Sequence, residues 1–413
     1  MRIRSRALLK AILALRGDGK AGIKPQPRVF DGIAIAPFKN NARAAACISA
    51  DFEMSWAFRH HPKEVARDRG QRERENIPHL LQIFERCAFP ITWATVGHLF
   101  LESCTRLPNG LAHPELPRPP RNTLWTGDWY MHDPCTDYKH DPLWYAPDLI
   151  QNILESPVRH EIGTHSFSHI DFSPACSDPI LARRELEESA AAMQRFGLIP
   201  RSLVYPFNRM GHTELLADLS ITAVRYRDRR ERVRLSYPER MPSGVYKFYE
   251  SMILRTSTSY AYLDKVKLFV AKAVARRAVF HLWFHPSDPL SVAETELLPI
   301  TRYIDSQRKE GLVWVATMAE IASYCEARHS LRPEVRRTHG EMTIVWRGSF
   351  PSDKYGHTEL TLILPPLPRP RMVTLTNSDG SRDPGFARSP VRTTAGQLLI
   401  NMPTTAKSLH IVL

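Results

Sequence analysis

The chain has 413 residues, 43% of them hydrophobic and 24% charged, with a formal charge of +13. That is ordinary globular composition, enough for one large domain and a small one or for two mid-sized domains, and wholesale disorder is not expected. Six cysteines, Cys47, Cys87, Cys104, Cys135, Cys176 and Cys325, are scattered without a C-x-x-C pair, which favours free thiols in a reducing compartment over a disulfide framework.

Residues 1–30 hold eight basic side chains against the single acid Asp18. Ile3, Leu8, Ile12 and Leu15 fall near one helical stripe, so this leader reads either as a surface-seeking amphipathic helix or as a plain solvated segment. Its apolar run is broken by Lys10, lacks a convincing cleavage site, and is much too short to span a bilayer. The expectation is a cytoplasmic protein whose basic leader can touch an anionic inner-membrane face. A second basic cluster, Arg225 to Arg240, has seven arginines against Asp228, Glu231 and Glu239. An acidic glycan or a lipid surface suits these charges; no nucleic-acid motif is present.

From residue 44 the pattern alternates. Ala44–Ala50 is a buried strand ending in Asp51-Phe52-Glu53. Ile77–Cys87 has helical spacing, with Pro78 in its first turn. Ile91–Val96 is a short strand, and the polar, proline-rich stretch from about Arg106 to Pro147 is a long excursion whose aromatics suit a cover over a site. Pro147–Ser156 reads as a helix, Glu161–Thr164 as a strand end, and Pro179–Phe196 as a helix capped by Asp178. Strands at Ser202–Tyr205, Thr222–Arg225, Val279–Trp283 and Val313–Ala316 alternate with helices at Tyr262–Arg276 and Ala293–Gly311. Such alternation predicts a parallel, barrel-like α/β domain over 44–328, after a leader over 1–43. Beyond it, Met342–Trp346, Glu359–Leu364, Met372–Thr376, Gln397–Met402 and Ser408–Leu413 read as strands, predicting a small β-sandwich over 333–413.

Three constellations carry chemistry. In His165-Ser166-Phe167-Ser168-His169, two imidazoles at i and i+4 share one face of a helical turn and can meet one ion. They follow Glu161-Ile162-Gly163-Thr164, at the C-terminal end of a strand, where α/β barrels build their sites. Asp51 and Glu53 crowd two carboxylates at another strand end, an arrangement that asks for a cation. One acid would complete a two-histidine, one-carboxylate metal site, and the other would be free to take a proton from water. Finally, His281-Leu282-Trp283-Phe284-His285-Pro286 is a strand with histidine at both ends, and His285 at its mouth is a fair general acid.

In order along the chain, ISADFE, ITWATVGHLF, EIGTHSFSH, LVYPFNRMG and LWFHP resemble the motifs of the polysaccharide deacetylase family, also called the NodB-homology or carbohydrate esterase family 4 group. The resemblance spans roughly residues 44–328. It implies a distorted (β/α)7 barrel and a hydrolase removing N-acetyl groups from amino sugars with zinc or a related divalent ion. Carried over residue by residue, it makes His165 and His169 metal ligands, Asp51 the base and His285 the acid. The family's metal-binding acid usually follows the base directly; here Phe52 intervenes and Glu53 is the metal ligand expected, although the roles of Asp51 and Glu53 can exchange.

The family also places an arginine two residues before its proline, where this chain has Val204 before Pro206. Arg209, Asn208, Arg225 or Arg227 can stand in. Tyr205, Pro206, Asn208, Arg209 and Trp283 are then expected at the substrate, with Trp125, Trp129 and Trp144 as further candidates for stacking on sugar rings. The substrate implied is an N-acetylated glycan or its precursor, with a place in tailoring a bacterial surface glycan. Two rival readings are a hydrolase of cyclic amides or ureides on the same barrel, and a catalytically silent protein that binds glycan or membrane.

Overall fold

A computed structural model describes residues 25–227, 234–255, 261–368, 370–383, 392–394 and 397–413. The amphipathic stripe expected over residues 3–15, and the centre of the second basic cluster, lie outside the described residues.

Two short strands come first, β1 (Arg28–Phe30) and β2 (Ile33–Ile35). The α/β unit then runs β3 (Ala44–Phe52), α1 (Lys63–Glu85), β4 (Thr92–Thr95), α2 (Pro147–Glu155), β5 (Glu161–Thr164), α3 (Pro179–Gln194) and β6 (Ser202–Val204). It continues with β7 (Ala223–Tyr226), β8 (Glu239–Arg240), β9 (Tyr246–Tyr249), β10 (Met252–Ile253), α4 (Tyr262–Arg276), β11 (Val279–Phe284), α5 (Leu298–Lys309), β12 (Val313–Val315) and α6 (Met318–Ser330). The remaining strands are β13 (Arg332–Thr338), β14 (Glu341–Arg347), β15 (Glu359–Leu364), β16 (Met372–Thr376), β17 (Arg382–Asp383), β18 (Arg392–Thr394), β19 (Gln397–Pro403) and β20 (Ser408–Val412).

One sheet, ordered β10-β11-β3-β4-β5-β6-β7-β9-β8 with β12 also on β3, forms the α/β unit. Every pairing in it is parallel except β8 with β9. β3 is its spine. All of its residues are buried, and its small side chains admit β11 along one edge and β12 then β4 along the other. The sheet curls, bringing Phe248 of β9 edge-on to His281 of β11 with 6.5 Å between rings. Helices cover the outside: Ile77, Leu80, Leu81 and Phe84 of α1 pack with Phe89 and Trp93 in one apolar cluster.

Local chemistry sets the helix ends. The Asp178 side chain accepts the Leu181 N–H at 2.8 Å and caps α3, as the sequence predicts. Thr317 and Glu320 form a capping box at the start of α6. One helix departs from expectation: α1 begins at Lys63, so Pro78 lies inside it rather than in its first turn. The added turns bury Ala66, Gly70, Glu73 and Asn76, a face of small and polar residues that leaves no apolar period to read.

Gly163 in β5 shows how tightly the sheet closes. A Cβ there would lie 2.8 Å from the Ser202 carbonyl oxygen of the neighbouring strand. Gly163→Ala is therefore expected to destabilise the fold by about 1–3 kcal/mol, read as a lowered urea midpoint at unchanged slope.

The remaining strands form two five-stranded antiparallel sheets, β1-β2-β15-β19-β18 and β13-β14-β20-β16-β17. Ile33, Ile35, Leu360, Leu362 and Ile400 of the first share one apolar cluster with Ile344, Val373, Leu409 and Ile411 of the second. Residues 28–35, grouped by sequence with the leader, thus pair with the C-terminal strands: Ile35 lies opposite Leu362. All six cysteines are free thiols. Among the described residues, no helix is long and apolar enough to cross a membrane.

Candidate metal centre

The strands of the curled sheet deliver their C-terminal ends to one place. Asp51 ends β3 with Phe52, and Glu53 follows; His165 comes directly after β5, Arg225 sits in β7, and His285 follows β11. The backbone at Glu53 is fixed from behind by Glu73 of α1. Its carboxylate accepts the N–H groups of Glu53 at 3.0 Å and Met54 at 2.8 Å. Met54 adopts φ 48°, a left-handed turn that ends the strand and aims Glu53 inward. Burial, reinforced by the Glu53 charge, raises the Glu73 carboxyl well above its usual range. Glu73→Ala leaves two buried N–H groups without acceptors. It is expected to cost about 1–3 kcal/mol for each and to weaken metal binding about 10–100-fold, checked by denaturation and metal titration of the same protein.

His165 and His169 converge on one carboxylate oxygen. His165 Nε2 is 2.9 Å from Glu53 Oε1 and His169 Nε2 is 3.2 Å from it. All three side chains are buried. The two histidines do not share a helical turn, contrary to expectation. Residues 165–169 form a loop in which Ser166 (φ 59°) and His169 (φ 58°) are left-handed, and this brings the rings to 5.0 Å. Glu185 of α3 braces the loop, accepting the Ser168 N–H at 2.8 Å and the Tyr130 hydroxyl at 3.1 Å.

The electrostatics ask for a cation. His165 Nδ1 lies 2.6 Å from the Val204 carbonyl oxygen, so Nδ1 carries a proton, leaving the Nε2 that faces Glu53 as the nitrogen able to give a lone pair to an ion. Burial pushes His169 down to about 4 against the pull of Glu53. Burial also opposes the Glu53 charge. Hydrogen bonding to the two histidines and the charges of His169 and His285 outweigh it and hold that carboxyl well below the usual range. Two ring nitrogens and one carboxylate oxygen, crowded and shielded from water, match the donor types of a divalent ion with open positions.

Asp51 lies beside this trio, with an oxygen within 4.8 Å of Glu53 and His285, but is gripped by Arg225. Arg225 donates to both of its oxygens, each at 2.6 Å, from a fully buried side chain. Arg225 also donates to Ser49 at 3.1 Å and Asn208 at 3.3 Å, and lies 4.1 Å above the Trp283 ring. Of the stand-ins that the sequence left open, Arg225 is the one that reaches the acid. Arg209 pairs with Asp171, and Arg227 with Glu250 at 3.2 Å. His285, a quarter exposed, places Nε2 3.9 Å from Glu53 Oε2. His281 is buried a layer below, on Ser49 at 2.9 Å, and does not join the centre.

The expected substrate residues divide. Arg209 and Phe207 line a small cleft with Leu124, Trp129 and Asp171, and the Phe207 ring is 4.7 Å from His169. Tyr205 is buried, its hydroxyl donating to the Gly211 carbonyl at 3.1 Å, and Pro206 is buried beside it. Trp283 lies beneath Arg225 and cannot stack on a sugar. Trp144 borders Trp56 edge-on at 5.4 Å, whereas Trp125 and Trp129 stack at 4.8 Å. Between these rings sits Arg59, which sequence reasoning missed. Its guanidinium covers Trp56, Trp125 and Trp129 and donates to the Ser168 carbonyl at 2.7 Å. A lone arginine after an aromatic turn carries no signal by which to find it.

No family model and no curated protein matches the chain. Its solved neighbours include polysaccharide deacetylases. One so described, from Mycobacterium smegmatis, is 16% identical with a TM-score of 0.49, covering 77% of this chain and 99% of that one. An allantoinase is 14% identical with a TM-score of 0.48, covering 71% and 94%. Another described as a polysaccharide deacetylase, from Pseudomonas aeruginosa PAO1, is 13% identical with a TM-score of 0.46, covering 70% and 92%. These are distant likenesses, and the chemistry of the centre rests on its own side chains.

Proposed function

We propose that the protein is a metal-dependent hydrolase that removes N-acetyl groups from amino sugars of a glycan or glycan precursor. One observation carries the reading: Glu53, His165 and His169 meet at a buried point while Asp51 is held separately by Arg225. That separation gives the two neighbouring acids different tasks, with Glu53 as ligand and Asp51 as base. A divalent ion held by the trio, zinc by its donor types, supplies Lewis acidity to an amide carbonyl and to water.

The rest belongs to the chain. Asp51, oriented by both arms of Arg225, takes a proton from the attacking water on its carboxylate. A new C–O bond forms at the acetamide carbon as its C–N bond breaks. His285 Nε2, partly exposed at the mouth, gives its proton to the departing amine, and acetate leaves. The cleft of Phe207 and Arg209 beside His169 is the place for the sugar, the partly exposed Phe207 ring suited to a pyranose face. The two C-terminal sheets, facing each other across one apolar cluster, are read as a β-sandwich appended to a distorted barrel. The positive charge of residues 1–30 fits an anionic glycan or the inner membrane face.

Substrate class is tested by incubating the protein and zinc with N-acetylglucosamine oligomers and, separately, with a cyclic ureide. Acetate and free amine are expected in equal amounts from the oligomers. Ring opening of the ureide, with no acetate from any N-acetylated glycan, would overturn the deacetylase assignment.

A further inference from the structure

Between residue 101 and α2 the chain runs to residue 146 with only isolated bridges and turns. A stretch of that length inside a compact domain needs something to fix it. Four side chains gather there: His98 of the turn Gly97–Phe100, Cys104, His113 and Asp133. One donor atom from each lies within 4.8 Å of the others.

Asp133 Oδ2 is the hub, 2.9 Å from His113 Nε2, 3.1 Å from His98 Nε2 and 3.4 Å from Cys104 Sγ. A tetrahedral zinc with bonds of about 2.0–2.3 Å spaces its donors about 3.3–3.7 Å apart, so small shifts suffice. His98 and Asp133 are shielded from solvent, and His113 is 8% exposed. Both imidazoles are oriented from behind: His98 Nδ1 faces the Trp144 carbonyl oxygen at 3.3 Å, and His113 Nδ1 faces the Glu115 carboxylate at 3.7 Å. With its proton on Nδ1, His98 presents a lone pair at Nε2, 3.1 Å from Asp133 Oδ2 but without a well-aligned hydrogen bond. A cluster of hydrogen bonds centred on Asp133 would account for His113 and for the Cys104 thiol, which also meets the Tyr145 hydroxyl at 3.1 Å. It gives His98 Nε2 only a poorly aligned contact with Asp133.

We propose that His98, Cys104, His113 and Asp133 bind a second divalent ion of the zinc class, distinct from the hydrolytic centre. Four protein donors leave no position open, which makes the ion structural. Its binding releases the Cys104 thiol proton to solvent. The ion ties residues 104, 113 and 133 of the excursion to the turn that precedes it, and the tie bears on the first centre: Trp129 of the same excursion donates to Ser168 at 2.8 Å, one residue from His169.

Cobalt distinguishes the two sites, because the hydrolytic centre has no sulfur donor. The full-length protein is stripped with chelator and titrated with Co²⁺ while its near-ultraviolet sulfur-to-cobalt charge-transfer band is followed. The band is expected in the wild type, is retained in His165→Ala and Cys135→Ser, and is absent from Cys104→Ser. Cobalt bound per chain is expected to fall from two to one in His165→Ala and in Cys104→Ser. A folded wild type that binds cobalt without the band overturns the proposal. So does a band lost in Cys135→Ser but kept in Cys104→Ser, or peptide mapping that finds Cys104 disulfide-linked to Cys135.

Discussion

His165→Ala is expected to empty the hydrolytic centre and to lower amide hydrolysis by at least about a thousandfold. The substitution removes the one ring nitrogen whose tautomer is fixed by the Val204 carbonyl, leaving His169 and Glu53 as a two-point site. The Lewis acid contributes several kcal/mol to the transition state, and about 4 kcal/mol at 1.36 kcal/mol per tenfold gives that factor. The Val204 carbonyl also loses its donor, a further cost to stability of about 1–3 kcal/mol. Metal content and initial rate are therefore measured on protein shown by circular dichroism to be folded. Full activity in a folded, metal-free His165→Ala protein would remove the ion from the mechanism.

Asp51→Asn separates the base from the ligand. It keeps the side-chain shape and leaves Glu53, His165 and His169 untouched, so metal content is expected to stay at the wild-type value. The rate is expected to fall about 10²–10⁴-fold, the usual contribution of a positioned general base. Both this variant and Asp51→Ala take from the fully buried Arg225 the counter-charge it grips with both arms; Asn keeps one acceptor oxygen and Ala keeps none. Breaking such a buried pair costs about 3–5 kcal/mol, so both variants are expected to lose stability as well as rate, the alanine variant more. If Asp51→Asn lost the ion while Glu53→Gln kept it, the roles of the two acids would be exchanged.

Residue types at strand ends were readable in the sequence, whereas long-range pairings were not. The buried run from Ala44 and the glycine before His165 announce strands, and the acids and histidines that follow them have few structural reasons to be there. Spacing alone misled at His165 and His169, since i and i+4 suit a helix and also a loop with two left-handed residues. Four polar residues competed to replace the absent arginine, and only the register of β7 beside β6 singles out Arg225. Trp283 looks like a sugar platform until Arg225 is laid over it. The strands at residues 28–35 join partners more than three hundred residues away, which no local pattern encodes. Nor does the irregular spacing of His98, Cys104, His113 and Asp133 match any metal motif; only the folded excursion brings them together.

The central claim is that an ion held by Glu53, His165 and His169 drives amide hydrolysis. Its most direct test is acetate release from N-acetylglucosamine oligomers by one protein preparation before chelation, after chelation, and after zinc is restored. Activity is expected to vanish and return in the wild type, and to be absent throughout in His165→Ala. Undiminished release from chelated protein with no detectable metal would contradict it.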